Sequence, residues 1–232
     1  MRDQPSQPAI VKTPAAVVSD VHLGSPHCRQ GEFLRFLDSF HEPVTLVFAG
    51  DTVDRPESSW LKPSDQSVLD RLASHPLITP VFIRGNHDET CSWFERNMFP
   101  MVSEVRIPAV GMLVCHGDDF QIVRGHHRLF VFLFNGLHRM RIRLGAPPVH
   151  VAEYAKHWSL FYRALRRIVR ENAADYALQE GAKAIACGHV HFAEDTMVKG
   201  IRYVNTGCWT EPDPHYLMIR DGVVELKVWE RE

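Results

Sequence analysis

Short apolar runs, each closed by a glycine or a polar residue, recur along this chain. Ala15-Ala16-Val17-Val18-Ser19, Val44 to Ala49, Val81-Phe82-Ile83, Met112 to Cys115 and Ala184-Ile185-Ala186-Cys187 are of this kind. Apolar runs of this length predict strands buried on both faces. Val102 to Ile107 predicts one more strand. Glu32 to Ser39 places Phe33, Phe36 and Leu37 at i, i+3 and i+4, the spacing of a helix laid on a sheet. Ser67 to Ala73 predicts a second helix. Ile201 to Asn205, Tyr216 to Ile219 and Val223 to Trp229 predict a β-rich end, with Asp221-Gly222 as a hairpin turn. Strands alternating with helices early, then strands alone, predict a layered α/β fold with helices covering sheet faces.

Residues 1–14 are polar and rich in Pro and Gln, which predicts a flexible N-terminal tail ahead of one domain over 15–232. A length of 232 residues accommodates one domain with an insertion. That insertion is predicted at about 120–178 as a helical cap. Phe120 to Arg170 holds ten basic residues, Arg124 and Arg128 among them, against the single acid Glu153. It is also strongly apolar, from Leu129 to Phe134 and again at Trp158, Phe161 and Tyr162, with Pro147-Pro148 dividing it.

Composition is that of a soluble globular chain, 45% hydrophobic and 23% charged, and a net charge of −2 names no partner. Five cysteines without a CxxC pair argue against a disulfide framework and fit a reducing compartment. The first residues lack the apolar core of a signal peptide, and no run of about 18 apolar residues occurs. These features predict a cytoplasmic location.

Candidate chemistry sits where the apolar runs end. Asp20-Val21-His22, Gly50-Asp51-Thr52-Val53-Asp54, Gly85-Asn86-His87-Asp88, Cys115-His116-Gly117-Asp118 and Gly188-His189-Val190-His191 follow strand-like segments in turn. Together they offer carboxylate, imidazole and amide oxygen donors. Such donors suit divalent ions like Mn²⁺, Fe or Zn²⁺ rather than a closed thiolate site. Cys115 and Cys187, just before ligand-type histidines, are expected to be small buried strand residues.

In order and spacing, these clusters resemble the calcineurin-like metallophosphoesterase superfamily over residues 15–210. The resemblance implies a sandwich of two mixed β-sheets flanked by helices. It implies two divalent metals, Mn²⁺ foremost with Fe or Zn²⁺ compatible. One would take Asp20, His22 and His191, the other Asn86, His116 and His189, with Asp51 shared because adjacent dications repel. It implies hydrolysis of a phosphoanhydride or phosphodiester by a hydroxide bridging the metals. His87 would protonate the leaving oxygen, and the Asp54 carboxylate would orient His87. Asp88 would accept hydrogen bonds behind the ligands.

Within the superfamily, Ser19 to Gly24 with Cys28, His116 to Phe120, the basic aromatic insertion and Tyr203 to Trp209 are similar to the UDP-2,3-diacylglucosamine pyrophosphatase-like group. That group implies a lipid-nucleotide substrate of lipid A synthesis and peripheral attachment to the cytoplasmic face of the inner membrane. A basic helix rich in Phe and Leu suits an anionic membrane surface. Its best-known branch carries Arg where His87 stands, so a general phosphodiesterase or phosphomonoesterase with a soluble substrate is the alternative. A non-catalytic scaffold is a third reading, and nucleic acid is not expected as a partner. Candidate substrate contacts are Arg55, Arg124, Arg128, Trp158 and Trp209.

Overall fold

The computed structural model describes residues 8–54, 61–88, 99, 101–121, 140, 143 and 159–230. Two six-stranded mixed sheets stack face to face. The first runs β12-β11-β2-β3-β4-β5, with β2 at Ala15–Val18, β3 at Val44–Ala49, β4 at Ile78–Ile83, β5 at Met101–Val102, β11 at His215–Arg220 and β12 at Val223–Val228. The second runs β1-β6-β7-β8-β10-β9, from β1 at Ala9–Ile10 and β6 at Val105–Ile107 through β7 at Met112–Val114 and β8 at Ala184–Cys187 to β10 at Ile201–Asn205 and β9 at Glu194–Val198.

The period-2 geometry of a strand explains why these runs are apolar throughout. In β3, Leu46 and Phe48 face α1 (Gln30–Asp38) and α2 (Pro63–Ser74), while Val47 and Ala49 face the opposite sheet. In β8, Ala184 and Ala186 join the same inter-sheet layer, and Ile185 and Cys187 pack outward against Ala173, Ala174 and Ala177 of α3 (Ser159–Gln179). The order is therefore helices, sheet, sheet, helix. The α/β sandwich expected from the sequence is the fold observed.

β4 and α2 begin earlier than expected and β9 was not expected, and two further differences change the strand pairing. Ala9 and Ile10, assigned to a loose tail, pair in parallel with Val105 and Arg106, and Val11 is buried behind them. An edge strand this short carries too few residues to show a period. Val102 to Ile107, expected as one strand, is divided at Ser103-Glu104. Met101–Val102 pairs with β4 in one sheet, and Val105–Ile107 pairs with β7 in the other. An apolar run reports burial, not which sheet each half joins. Of the expected cap, α3 is described; Arg124, Arg128, Trp158 and most of the insertion lie outside the described residues, as does Arg55.

The candidate metal centre

β2, β3 and β4 are parallel to one another, as are β7 and β8, so each set delivers its following residues at one end of its sheet. Those two ends meet. The Asp20 N–H donates to the Gly50 carbonyl at 3.1 Å, the His22 N–H to Asp51 at 3.0 Å, and the Gly188 N–H to His116 at 3.0 Å. The sheets are linked by the His189 N–H, which donates to Asp20 Oδ2 at 2.9 Å. Carboxyl ends of parallel strands are where open α/β sheets bind ligands.

Local backbone geometry sets this junction apart. Asp20, His22, Asp51, His189 and His191 all have positive φ, between 50° and 66°. Each non-glycine residue held there costs roughly 1–3 kcal/mol. Such cost persists where surroundings over-determine the backbone, and it gathers at ligand-holding sites. Space is equally restricted. A Cβ on Gly85 would lie 2.2 Å from Asp51 Oδ1, and one on Gly188 would lie 2.3 Å from Asp20 Oδ2. Only glycine permits these approaches.

The side chains converge in two pockets. In one, His191 Nε2 lies 3.0 Å from Asp20 Oδ1 and 3.4 Å from His22 Nε2, and all three residues are buried. In the other, His116 Nε2 lies 3.3 Å from Asp51 Oδ2 and 3.2 Å from Asn86 Oδ1, with the His189 ring 5.1 Å from the His116 ring. Asp51 stands between them, since its Oδ2 is also 3.9 Å from His22 Nε2. The structure thus brings the seven expected residues together around Asp51, with His87 grouped alongside His22 and Asp51.

The donor chemistry fits divalent cations. Asp20, His22 and His191, and likewise Asp51, His116 and His189, place one donor atom each within 4.8 Å of one another. Burial opposes charge on Asp20, yet the neighbouring imidazoles, His191 first, hold its carboxyl below the usual range. Asp51 is held low against burial by its hydrogen bond with His116. Burial likewise opposes charge on His116, but Asp51 outweighs it and pushes this group up to about 10. Burial and then the His116 charge push His189 down to about 3. Two buried carboxylates therefore need positive charge beside them, which a divalent cation would supply.

Behind the ligands, His116 Nδ1 lies 2.9 Å from the Ala49 carbonyl. A carbonyl only accepts, so Nδ1 carries a hydrogen, and Nε2 is the ring atom turned toward the pocket. Asp88 is buried and, as expected, accepts hydrogen bonds, from the Val53 N–H at 3.0 Å and the Gly85 N–H at 3.1 Å. Burial, then the charge of Asp51, pushes Asp88 up to about 7.

His87 is half-buried at the mouth, with its ring 5.0 Å from that of His22. Its Nδ1 lies 2.8 Å from Asp54, but from the main-chain carbonyl. The Asp54 carboxylate, expected to orient His87, instead places Oδ1 3.3 Å from His22 Nδ1. Sequence order shows that Asp54 is near; it does not show which of its oxygens points where.

Trp209, expected as a substrate contact, is fully buried. Its ring packs 4.7 Å from Phe33 and 4.9 Å from Phe36, and it meets the site through its main-chain N–H, which donates to the Asp20 carbonyl at 3.0 Å. It is a core residue, because the segment after β10 turns the indole into the layer beneath α1. Asn205, not singled out as a site residue, is buried at the end of β10. Its Nδ2 donates to the Gly188 carbonyl at 2.6 Å and its Oδ1 accepts from the Gly207 N–H at 3.0 Å. A polar residue closing an apolar strand was the available signal.

Residues 13–193 match the family model for calcineurin-like phosphoesterase, and the chain belongs to that family. With its His/Asp cluster, it is a metal-dependent phosphoesterase. Among curated relatives, the DNA polymerase II small subunit of Pyrococcus abyssi is 24% identical over 85% of this chain, and that of Pyrococcus furiosus matches to the same extent. The chain spans only 37% of the length of these relatives. Among solved structures, a single mutant of Vps29 from Entamoeba histolytica is 17% identical, covers 92% of this chain and 97% of its own, and has a TM-score of 0.49. The phosphoesterase Yfce from E. coli is 16% identical, covers 90% of each chain and has a TM-score of 0.46.

Proposed function

We propose that this protein hydrolyses a soluble phosphodiester or phosphomonoester in the pocket of Asp51, Asn86, His116 and His189, with His87 as proton donor. The observation that carries this reading is the placement of Asp51 between two donor pockets, with half-buried His87 at their mouth. When bound, paired divalent cations lower the pKa of a water and offset charge on phosphoryl oxygens. The ligand set fits Mn²⁺, Fe or Zn²⁺, and Mn²⁺ is the first to try.

The chain's own residues do the rest. Asp51 is shared between the pockets. His116, held through Nδ1 by Ala49, presents Nε2 in one orientation. The Asp54 carbonyl holds Nδ1–H of His87, which leaves Nε2 to give a proton to the departing oxygen. A partly exposed imidazole suits that exchange, because it must be reprotonated from solvent.

A second reading is the pyrophosphate of a UDP-diacylglucosamine-like lipid, with peripheral membrane attachment. It is favoured by the sequence resemblance and by the basic, apolar insertion. Against it, several described cations of that insertion are engaged within the fold. Arg166 and Arg170 both pair with Glu194, and Arg167 pairs with Glu171. No described helix is long and apolar enough to cross a membrane. Neither reading calls on nucleic acid.

The test is hydrolysis by metal-stripped protein, with and without Mn²⁺, of bis-p-nitrophenyl phosphate beside UDP-2,3-diacylglucosamine. Mn²⁺-dependent cleavage of the small diester alone supports the soluble reading. Release of UMP from the lipid at a much higher kcat/KM replaces it with the second.

A further inference from the structure

Helix α3 presents Tyr162, Arg166 and Arg170 at i, i+4 and i+8, one stripe of a helix surface. That stripe faces the segment following β8. Tyr162 is buried, and its hydroxyl donates to the Val190 carbonyl at 2.6 Å. Arg166 lies over the Phe192 ring, 3.2 Å from its centroid, and pairs with Glu194. Arg170 reaches the same carboxylate at 2.5 Å. Three successive turns of the helix thus grip residues 190–194.

Val190 is the residue between His189 and His191, which face different pockets. Both of those histidines have positive φ, and the Val190 N–H turns back to the Gly188 carbonyl at 2.8 Å. A peptide in so tight a turn has few partners within its own segment, and its carbonyl is met from outside by one phenol. Burial holds Tyr162 well above the usual phenol range, so it stays a neutral donor.

We propose that Tyr162 is a positioning residue for the metal centre, fixing through the Val190 carbonyl the directions of His189 and His191 and so the fit of both pockets. This rests on the metallophosphoesterase reading. Among the described residues, the contacts of Tyr162 are with Val190, Phe192 and Arg166, so its effect passes through the turn. Removing partners behind metal ligands typically weakens binding about 10–100-fold.

The experiment uses Tyr162→Phe, which keeps the ring and deletes only the hydroxyl. Mn²⁺ binding to stripped protein is followed by calorimetry and by the Mn²⁺ electron paramagnetic resonance spectrum, with the melting temperature of the metal-free protein alongside. The expected result is affinity weakened 10–100-fold, a changed spectrum and a lower kcat on bis-p-nitrophenyl phosphate, with KM within about twofold. Wild-type affinity and spectrum in Tyr162→Phe overturn the proposal, as does a lowered melting temperature with unchanged metal binding. Should Tyr162→Phe fail to fold, Arg166→Gln reads the same stripe one turn further on. It is expected to weaken Mn²⁺ binding about threefold, and unchanged binding there overturns the proposal. Wild-type protein that takes up no Mn²⁺ sinks the metallophosphoesterase reading itself, and this inference with it.

Discussion

The two donor pockets each combine an aspartate with two histidines, the second adding Asn86, and they differ in how they meet solvent. Asp20, His22 and His191 are 0%, 1% and 5% exposed, which makes the first pocket a closed holder. In the second, Asp51 and His116 are buried, while His189 is half-buried and Asn86 is exposed. His87 stands half-buried beside Asp51 and His22, at the junction of the two pockets. The difference teaches a division of labour: on the proposed function, the closed pocket would hold a cation and the open pocket would admit a phosphate. Asp51, shared by both, is where the two roles join.

The largest effect is expected at that joint. Asp51→Ala removes a carboxylate common to both pockets and should lower hydrolysis of bis-p-nitrophenyl phosphate by several kcal/mol in barrier, roughly 10³-fold in rate. A loss under tenfold would break the comparison, because the pockets would then work independently. His87→Ala should sharpen it. Proton donation is worth on the order of 10² or more in kcat, and Mn²⁺ binding should stay within about threefold of wild type. If His87→Ala instead loses metal, the residue belongs to the holder.

A smaller effect comes from pH. His116 is pushed up to about 10 by Asp51 against the effect of burial. His191 is also raised, as burial is outweighed by Cys208 and Asp20. In metal-free protein each pocket therefore holds a proton that an incoming cation must displace. Below the raised pKa of each group, lowering the pH favours the protonated form and weakens Mn²⁺ binding, by about tenfold per unit for each displaced proton. Calorimetry at pH 6.5 and 7.5 should show this in both equivalents, and pH-independent affinity would contradict it. The smallest effect on rate is expected for Trp209→Phe. It should cost about 1–3 kcal/mol of stability through lost packing against Phe33 and Phe36, with kcat and KM within about twofold. A KM rise above fivefold with unchanged stability would return Trp209 to the substrate.

The residues of the two pockets were legible in the sequence because a buried parallel strand is a continuous apolar run, and the residue ending it lies at the strand's carboxyl end. Asp20, Asp51, Asn86, His116 and His189 each follow such a run closely. Orientation was not legible. Asp54 approaches His87 through its carbonyl rather than its carboxylate, and Trp209 turns into the core although it stands near the site in sequence. Long-range partners were hidden for a different reason. Tyr162 meets Val190 across 28 positions, and only the fold reveals that α3 lies over that turn. The division of the strand expected at Val102 to Ile107 was likewise a matter of which sheet edges were available, not of hydrophobicity.

The most direct test of a shared two-cation centre is Mn²⁺ stoichiometry. Stripped wild-type protein and Asp51→Ala are titrated by calorimetry under one buffer. Two equivalents for wild type, with at least one lost in Asp51→Ala, is the predicted result. One equivalent or none for wild type, or two undiminished equivalents in Asp51→Ala, would contradict a centre in which this carboxylate serves both pockets.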